Sequence, residues 1–134
     1  MLRVTLDTNE YVSALNGGRA SRLLHLALDG AIEIAVSEAI ISETIRVLRE
    51  KFGWAPYDLH DARQRLERLA RIVEPKETLA VVSDEPDNRI LECAQEARSE
   101  FIITEHKALL RLGKLGSIRI LKLADFIERH LQSR

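Results

Sequence analysis

Three carboxylates stand out by where the sequence puts them: Asp7, Glu43 and Asp87. Asp7 closes the apolar run Leu2-Arg3-Val4-Thr5-Leu6 and is followed by Thr8 and Asn9. A strand that turns straight into a helix leaves its last residue at the carboxyl edge of the sheet, where open α/β folds bind ligands. Asp87 sits in Ser83-Asp84-Glu85-Pro86-Asp87-Asn88, where the crowded acids repel one another unless something positive is near. A second apolar run, 101–104, ends in Thr104-Glu105-His106-Lys107. Asp7, Asp87 and the Thr104/His106 pair thus fall at neighbouring strand–helix junctions, and Glu43 comes from a helix that covers the sheet. Carboxylates gathered at one sheet edge bind hard divalent cations such as Mg²⁺ or Mn²⁺, because oxygen ligands suit those ions and the ion cancels their repulsion.

Each acid also has a purely structural reading. Asp7-Thr8-Asn9-Glu10 fits a capping box, with Glu10 reaching back to the N-cap. Asp84 as N-cap, Pro86 in the first turn and Asp87 as an acid at the third position fit an ordinary helix start. Glu43 lies beside an apolar face expected to comprise Ile41, Ile45, Leu48 and Phe52. That boundary position suits a solvated glutamate as well as one pointing into a cleft.

The elements that must position these groups follow from the hydrophobic periodicity. Strands are expected at 2–6, 33–36, 71–73, 101–104 and 118–121, with 79–82 either a strand or a lead-in to the next loop. Helices are expected after Asp7 as far as Gly17-Gly18, then at 19–29, 38–52, 57–70, 85–98, 107–112 and 124–131. Ser37 caps the third of these helices and Gly53 ends it. Strands alternating with helices imply a three-layer α/β domain: a parallel sheet of about five strands covered on both faces. No linker, repeat or low-complexity segment divides the 134 residues, so a single domain, 1–134, is expected.

Composition narrows the function. With 46% hydrophobic and 31% charged residues the chain is a globular protein, not a disordered one. Aromatics are only 4%, too few for an extended base-stacking platform. Twenty basic against 21 acidic side chains give a net charge of -1, so no global positive field draws in nucleic acid, although a local basic patch does not need one. A single cysteine, Cys93, excludes an internal disulfide and a thiolate metal site. No apolar run approaches membrane-spanning length, and a cytoplasmic location is expected. There is no glycine-rich phosphate loop, and His25, His60, His106 and His130 are scattered rather than paired at helical spacing.

Four segments in order resemble the PIN-domain family, in particular its VapC-like members, the toxin halves of toxin–antitoxin pairs. These are Val4-Thr5-Leu6-Asp7-Thr8-Asn9, Ser37 through Glu43 to Val47-Leu48, Asp87-Asn88-Arg89-Ile90-Leu91-Glu92-Cys93-Ala94, and Ile102-Ile103-Thr104 with Lys107-Ala108-Leu109-Leu110. The resemblance implies a metal-dependent ribonuclease that hydrolyses RNA phosphodiester bonds with Mg²⁺ or Mn²⁺. Asp7, Glu43 and Asp87 match the family's first three acids, Asn9 its site-ordering amide and Thr104 its site hydroxyl. The pattern departs where a fourth acid is usual: His106 stands there, Ala108 replaces a second aspartate, and Glu10 replaces an aliphatic residue. His106 is expected to reach the same cleft as Asp7 and to favour Mn²⁺ over Mg²⁺. The implied partners are RNA, an antitoxin protein and a second copy of the chain, with no membrane. For the dimer, the Leu23/Leu24/Leu28 and Leu66/Leu69 faces are the expected apolar surfaces. Arg19, Arg22, Arg46 and Lys107 are candidate phosphate-binding cations. The rival reading is a non-catalytic RNA- or partner-binding module whose site has decayed.

Overall fold

A computed structural model describes residues 1–131. The first strand, β1 (Leu2–Leu6), buries Val4, Thr5 and Leu6 and carries the chain to the middle of the sheet. It leads into helices α1 (Thr8–Leu15) and α2 (Ser21–Leu28), then β2 (Ile32–Ser37) beside it. Helices α3 (Glu38–Phe52) and α4 (Pro56–Leu69) lead to the outer strand β3 (Ala70–Val73). The chain then crosses the molecule through α5 (Glu85–Ala97) to β4 (Phe101–Ile103), which pairs with β1 on its other side. Helix α6 (Lys107–Leu112), the hairpin β5 (Lys114–Leu115) and β6 (Ile118–Leu121), and helix α7 (Leu123–Phe126) complete the path.

The strand order is β3-β2-β1-β4-β6-β5. All neighbours are parallel except β5 against β6. Strand order therefore reverses between β1 and β4, and the crevice beyond their carboxyl ends is the switch point where α/β sheets place ligands. Asp7 follows β1 and Thr104 follows β4, so both flank that crevice. The backbone ties the junction, with Asp7 N–H donating to the Ile103 carbonyl at 3.0 Å.

The architecture matches the expected three-layer α/β arrangement, with local corrections. The sheet has six strands among the described residues, not about five, because the Gly116-Ser117 turn closes a short antiparallel hairpin. Gly116 has φ of 60°, as a two-residue hairpin turn requires. Residues 79–82 form no strand; the Asn88 amide pins them as a loop, accepting from Val81 N and Val82 N at 3.0 Å each and donating to Val82 O at 2.8 Å. The final helix starts at Leu123 and turns π-helical over Ile127–Leu131. On α3 the buried face is Ile40, Ile41, Thr44, Val47 and Leu48; Ile45 is half-buried and Phe52 is exposed. Leu23, Leu24 and Leu66 are buried in the chain's own core, so those faces are not uncovered; Leu28 alone among them is strongly exposed. No helix among the described residues is long and apolar enough to cross a membrane.

Candidate functional site

Asp7 is 5% exposed and both its oxygens are engaged. Oδ1 accepts from Asn9 N at 2.7 Å and Glu10 N at 3.3 Å, which is N-capping of α1. Oδ2 accepts from the fully buried Thr104 hydroxyl, and Thr104 Oγ1 in turn accepts from the His106 backbone N–H at 2.9 Å. The capping box is half-formed, since the Asp7 N–H is spent on Ile103 and not on Glu10. Burial pushes the Asp7 carboxyl above its ordinary pKa, against the hydrogen bonds from Thr104, Asn9 and Glu10.

Asp87 lies in the first turn of α5 and is 7% exposed. His106 Nδ1 stands 2.6 Å from its Oδ2. The contact lies off the line of a hydrogen bond, and Oδ2 is a buried oxygen with no aligned donor. Burial raises this carboxyl too, with His106 lowering it and the neighbouring Asp84 adding to the rise. Asp84 occupies the N-cap position of α5 without a side-chain capping bond, which corrects the reading of it as a cap. One ligand atom each from Asp84, Asp87 and His106 lie within 4.8 Å of one another.

A cleft of about 240 Å³ brings these groups together. Asp7, Asn9, Glu43, Asp84, Asp87 and His106 line it, with Arg46 and Lys51 as its cations. His106 therefore reaches the cleft that Asp7 lines. Glu43 is present but committed: Arg46 Nε and Nη2 donate to its two oxygens at 3.0 and 2.7 Å. These bonds hold the Glu43 carboxyl below its usual range. Arg46 also donates to Glu50 at 2.8 Å, bridging two acids two turns apart. Of the four cations named from sequence, Arg46 lines the cleft, whereas Arg19 and Arg22 line other concavities. Sequence reasoning missed Asp84 and Lys51. Asp84 was hidden by its plausible capping role, and Lys51 could have been found as the residue one turn beyond Val47.

The donor set fits a divalent cation. Asp87 Oδ2 is buried against His106 Nδ1 at 2.6 Å, and two carboxylates with one imidazole form a mixed oxygen–nitrogen set that suits Mn²⁺ better than Mg²⁺.

A family model described as a PIN domain matches residues 3–108. Among solved structures, the chain is similar to VapBC2 from Rickettsia felis bound to a DNA fragment from their promoter. That match has 15% identity and a TM-score of 0.57, and covers 89% of this chain and 97% of the other. No curated protein sequence matches. At such low identity the structural likeness speaks for the fold alone, but the family model spans most of the chain, from the strand before Asp7 to the start of α6. The protein belongs to the PIN domain family.

Proposed function

We propose that this protein is a metal-dependent endoribonuclease, the toxin of a toxin–antitoxin pair. The observation that carries the reading is the convergence of Asp84, Asp87 and His106 within 4.8 Å, in a cleft at the β1/β4 switch point that Asp7 and Glu43 also line. Asp84, Asp87 and His106 would hold the ion, with Asp7 beside them. A divalent ion supplies Lewis acidity there, activating water near neutral pH and offsetting the charge that builds on phosphate oxygens. The chain's own groups do the rest. Thr104 holds Asp7 in place through its hydroxyl, and Asn88 anchors the loop that delivers Asp84. Arg46 and Lys51 present positive charge to an RNA backbone entering the cleft. Burial raises Asp7 and Asp87 above the ordinary carboxylate range, and a cation beside them favours their ionised forms.

The antitoxin partner rests on the resemblance to VapC-like toxins, and a cytoplasmic location goes with it. A homodimer would use exposed apolar side chains such as Leu28, Phe52 and Tyr57. A second reading, a non-catalytic RNA- or partner-binding module, draws on two particulars: His106 stands where the family pattern has an acid, and Arg46 occupies both oxygens of Glu43. One experiment separates the two. Single-stranded RNA is incubated with wild type, Asp84→Asn and Asp87→Asn across a Mn²⁺ and Mg²⁺ titration, with Mn²⁺ affinity measured by calorimetry. The nuclease reading expects Mn²⁺-stimulated cleavage that both variants lose together with Mn²⁺ affinity. RNA binding without cleavage at any metal concentration supports the binding module, and full cleavage by Asp87→Asn removes the proposed centre.

A further inference from the structure

A second concavity, of about 200 Å³, shares no lining residue with the cleft and is formed by Glu10, Ser13, Arg19, Glu105 and Leu123. Its inner wall is Glu10. That side chain is 6% exposed, yet its carboxylate has no hydrogen-bond or ion-pair partner among the described residues. Its oxygens still reach water at the concavity, but with no compensating donor the partial desolvation favours a proton or a cation there. The neighbours sharpen the need. Asp7 and Glu105 both act on Glu10 with negative charge, and Arg19, the one positive neighbour, is exposed and makes no ion pair with it.

The oxygens around Glu10 are held in place. Glu105 Oε2 accepts from the Leu123 backbone N–H at 3.2 Å, which fixes that carboxylate at the mouth and leaves its second oxygen free. Ser13 Oγ accepts from Ala20 N at 3.4 Å. Gly18 packs so closely that a Cβ there would lie 2.5 Å from Ser13 Oγ, so the loop after α1 is seated directly on this hydroxyl. Two carboxylates and a hydroxyl form an all-oxygen donor set, unlike the cleft with its imidazole, and all-oxygen sets take hard cations that retain several waters. We propose that Glu10 and Glu105, with the Ser13 hydroxyl, form a second divalent-cation site that takes Ca²⁺ or Mg²⁺ independently of the cleft. Arg19 stands at its rim and opposes cation entry.

The test uses the full chain stripped with EDTA and titrated with CaCl₂ by calorimetry at pH 7.5, alongside thermal unfolding. Removing a ligand should cost at least the about 10–100-fold that removing an outer-shell partner costs. Glu10→Gln and Glu105→Gln are each expected to lower Ca²⁺ affinity by about tenfold or more, Asp87→Asn to leave this binding in place, and Arg19→Ala to strengthen it. The exposed Glu105→Gln provides the readout if Glu10→Gln fails to fold. The proposal is overturned if wild type shows no Ca²⁺ or Mg²⁺ binding at millimolar concentration. It is equally overturned if the Glu variants bind as wild type does, or if Asp87→Asn abolishes the Ca²⁺ response. Mn²⁺-dependent cleavage and its loss in Asp84→Asn and Asp87→Asn are read in a separate assay from the Ca²⁺ response of the Glu10 and Glu105 variants, so the two readings fail separately.

Discussion

Glu10 makes a quantitative prediction in the absence of metal. Burial, reinforced by the charges of Asp7 and Glu105, pushes its carboxyl from 4.5 up to about 7. The folded chain therefore holds a proton between these values that the unfolded chain has lost. Stability is then fully present below the unfolded value and falls as pH rises through the folded one. At 1.36 kcal/mol per pH unit the displacement from 4.5 to about 7 corresponds to roughly 3 kcal/mol. Water at the mouth of the concavity screens part of this, leaving on the order of 1–2 kcal/mol. Asp7 and Asp87 are also raised by burial and slope the same way, so the contribution of Glu10 is read as a difference between proteins. Urea denaturation of wild type and Glu10→Gln, in EDTA at half-unit steps from pH 4.5 to 8, supplies it. The two are expected to have similar stability near pH 4.5, with the glutamine variant gaining about 1–2 kcal/mol by pH 8. Parallel curves across the whole range would refute the reasoning, because they would mean that Glu10 ionises as freely folded as unfolded.

Thr104→Val removes the donor to Asp7 Oδ2 and the acceptor for the His106 N–H in one step. It is expected to cost about 1–3 kcal/mol in urea denaturation and to weaken Mn²⁺ binding, with Thr104→Ser restoring both. Arg46→Ala breaks an exposed pair worth about 0.2–1 kcal/mol, so the melting temperature should barely move. The same variant frees Glu43 and removes one phosphate-facing cation: Mn²⁺ affinity should rise, and the slope of log RNA affinity against log salt should shrink by about 0.7. An unchanged salt slope would take Arg46 out of the RNA path.

The parts of this fold that were legible in the sequence are those set by short-range pattern. The run ending at Asp7, the Ser37 cap and the Gly53 stop of α3 depend only on neighbours a few residues away, and the structure places them where the pattern does. Gly116-Ser117 between Leu115 and Ile118 was an equally local hairpin signal, and the expected helix–strand alternation passed over it. Exposure on α3 was harder. Helical spacing alone places Phe52 with Leu48, but Phe52 is the last residue before Gly53, where the helix stops and no neighbour covers the ring. The site itself is non-local. That β1 lies between β2 and β4 creates the switch point, and no local pattern records that order. Asp84 shows the cost: its position suits capping, yet its side chain makes no capping bond and instead stands beside Asp87 and His106.

Asp7 resolves the choice between cap and site in a different way. A carboxylate has two oxygens with lone pairs in different directions. Oδ1 is spent on the first N–H groups of α1, while Oδ2 meets Thr104 from the neighbouring strand. The cap fixes the rotamer, and the fixed rotamer aims the second oxygen across the switch point. The capping bonds and the Thr104 bond together hold Asp7 in one orientation at the edge of the cleft. Asp7→Asn, which keeps an acceptor for the cap, should leave stability nearly intact while weakening Mn²⁺ binding. If Asp7→Asn loses stability by as much as the about 0.5–2 kcal/mol expected for Asp7→Ala, with Mn²⁺ affinity unchanged, the charge at Asp7 serves the fold alone.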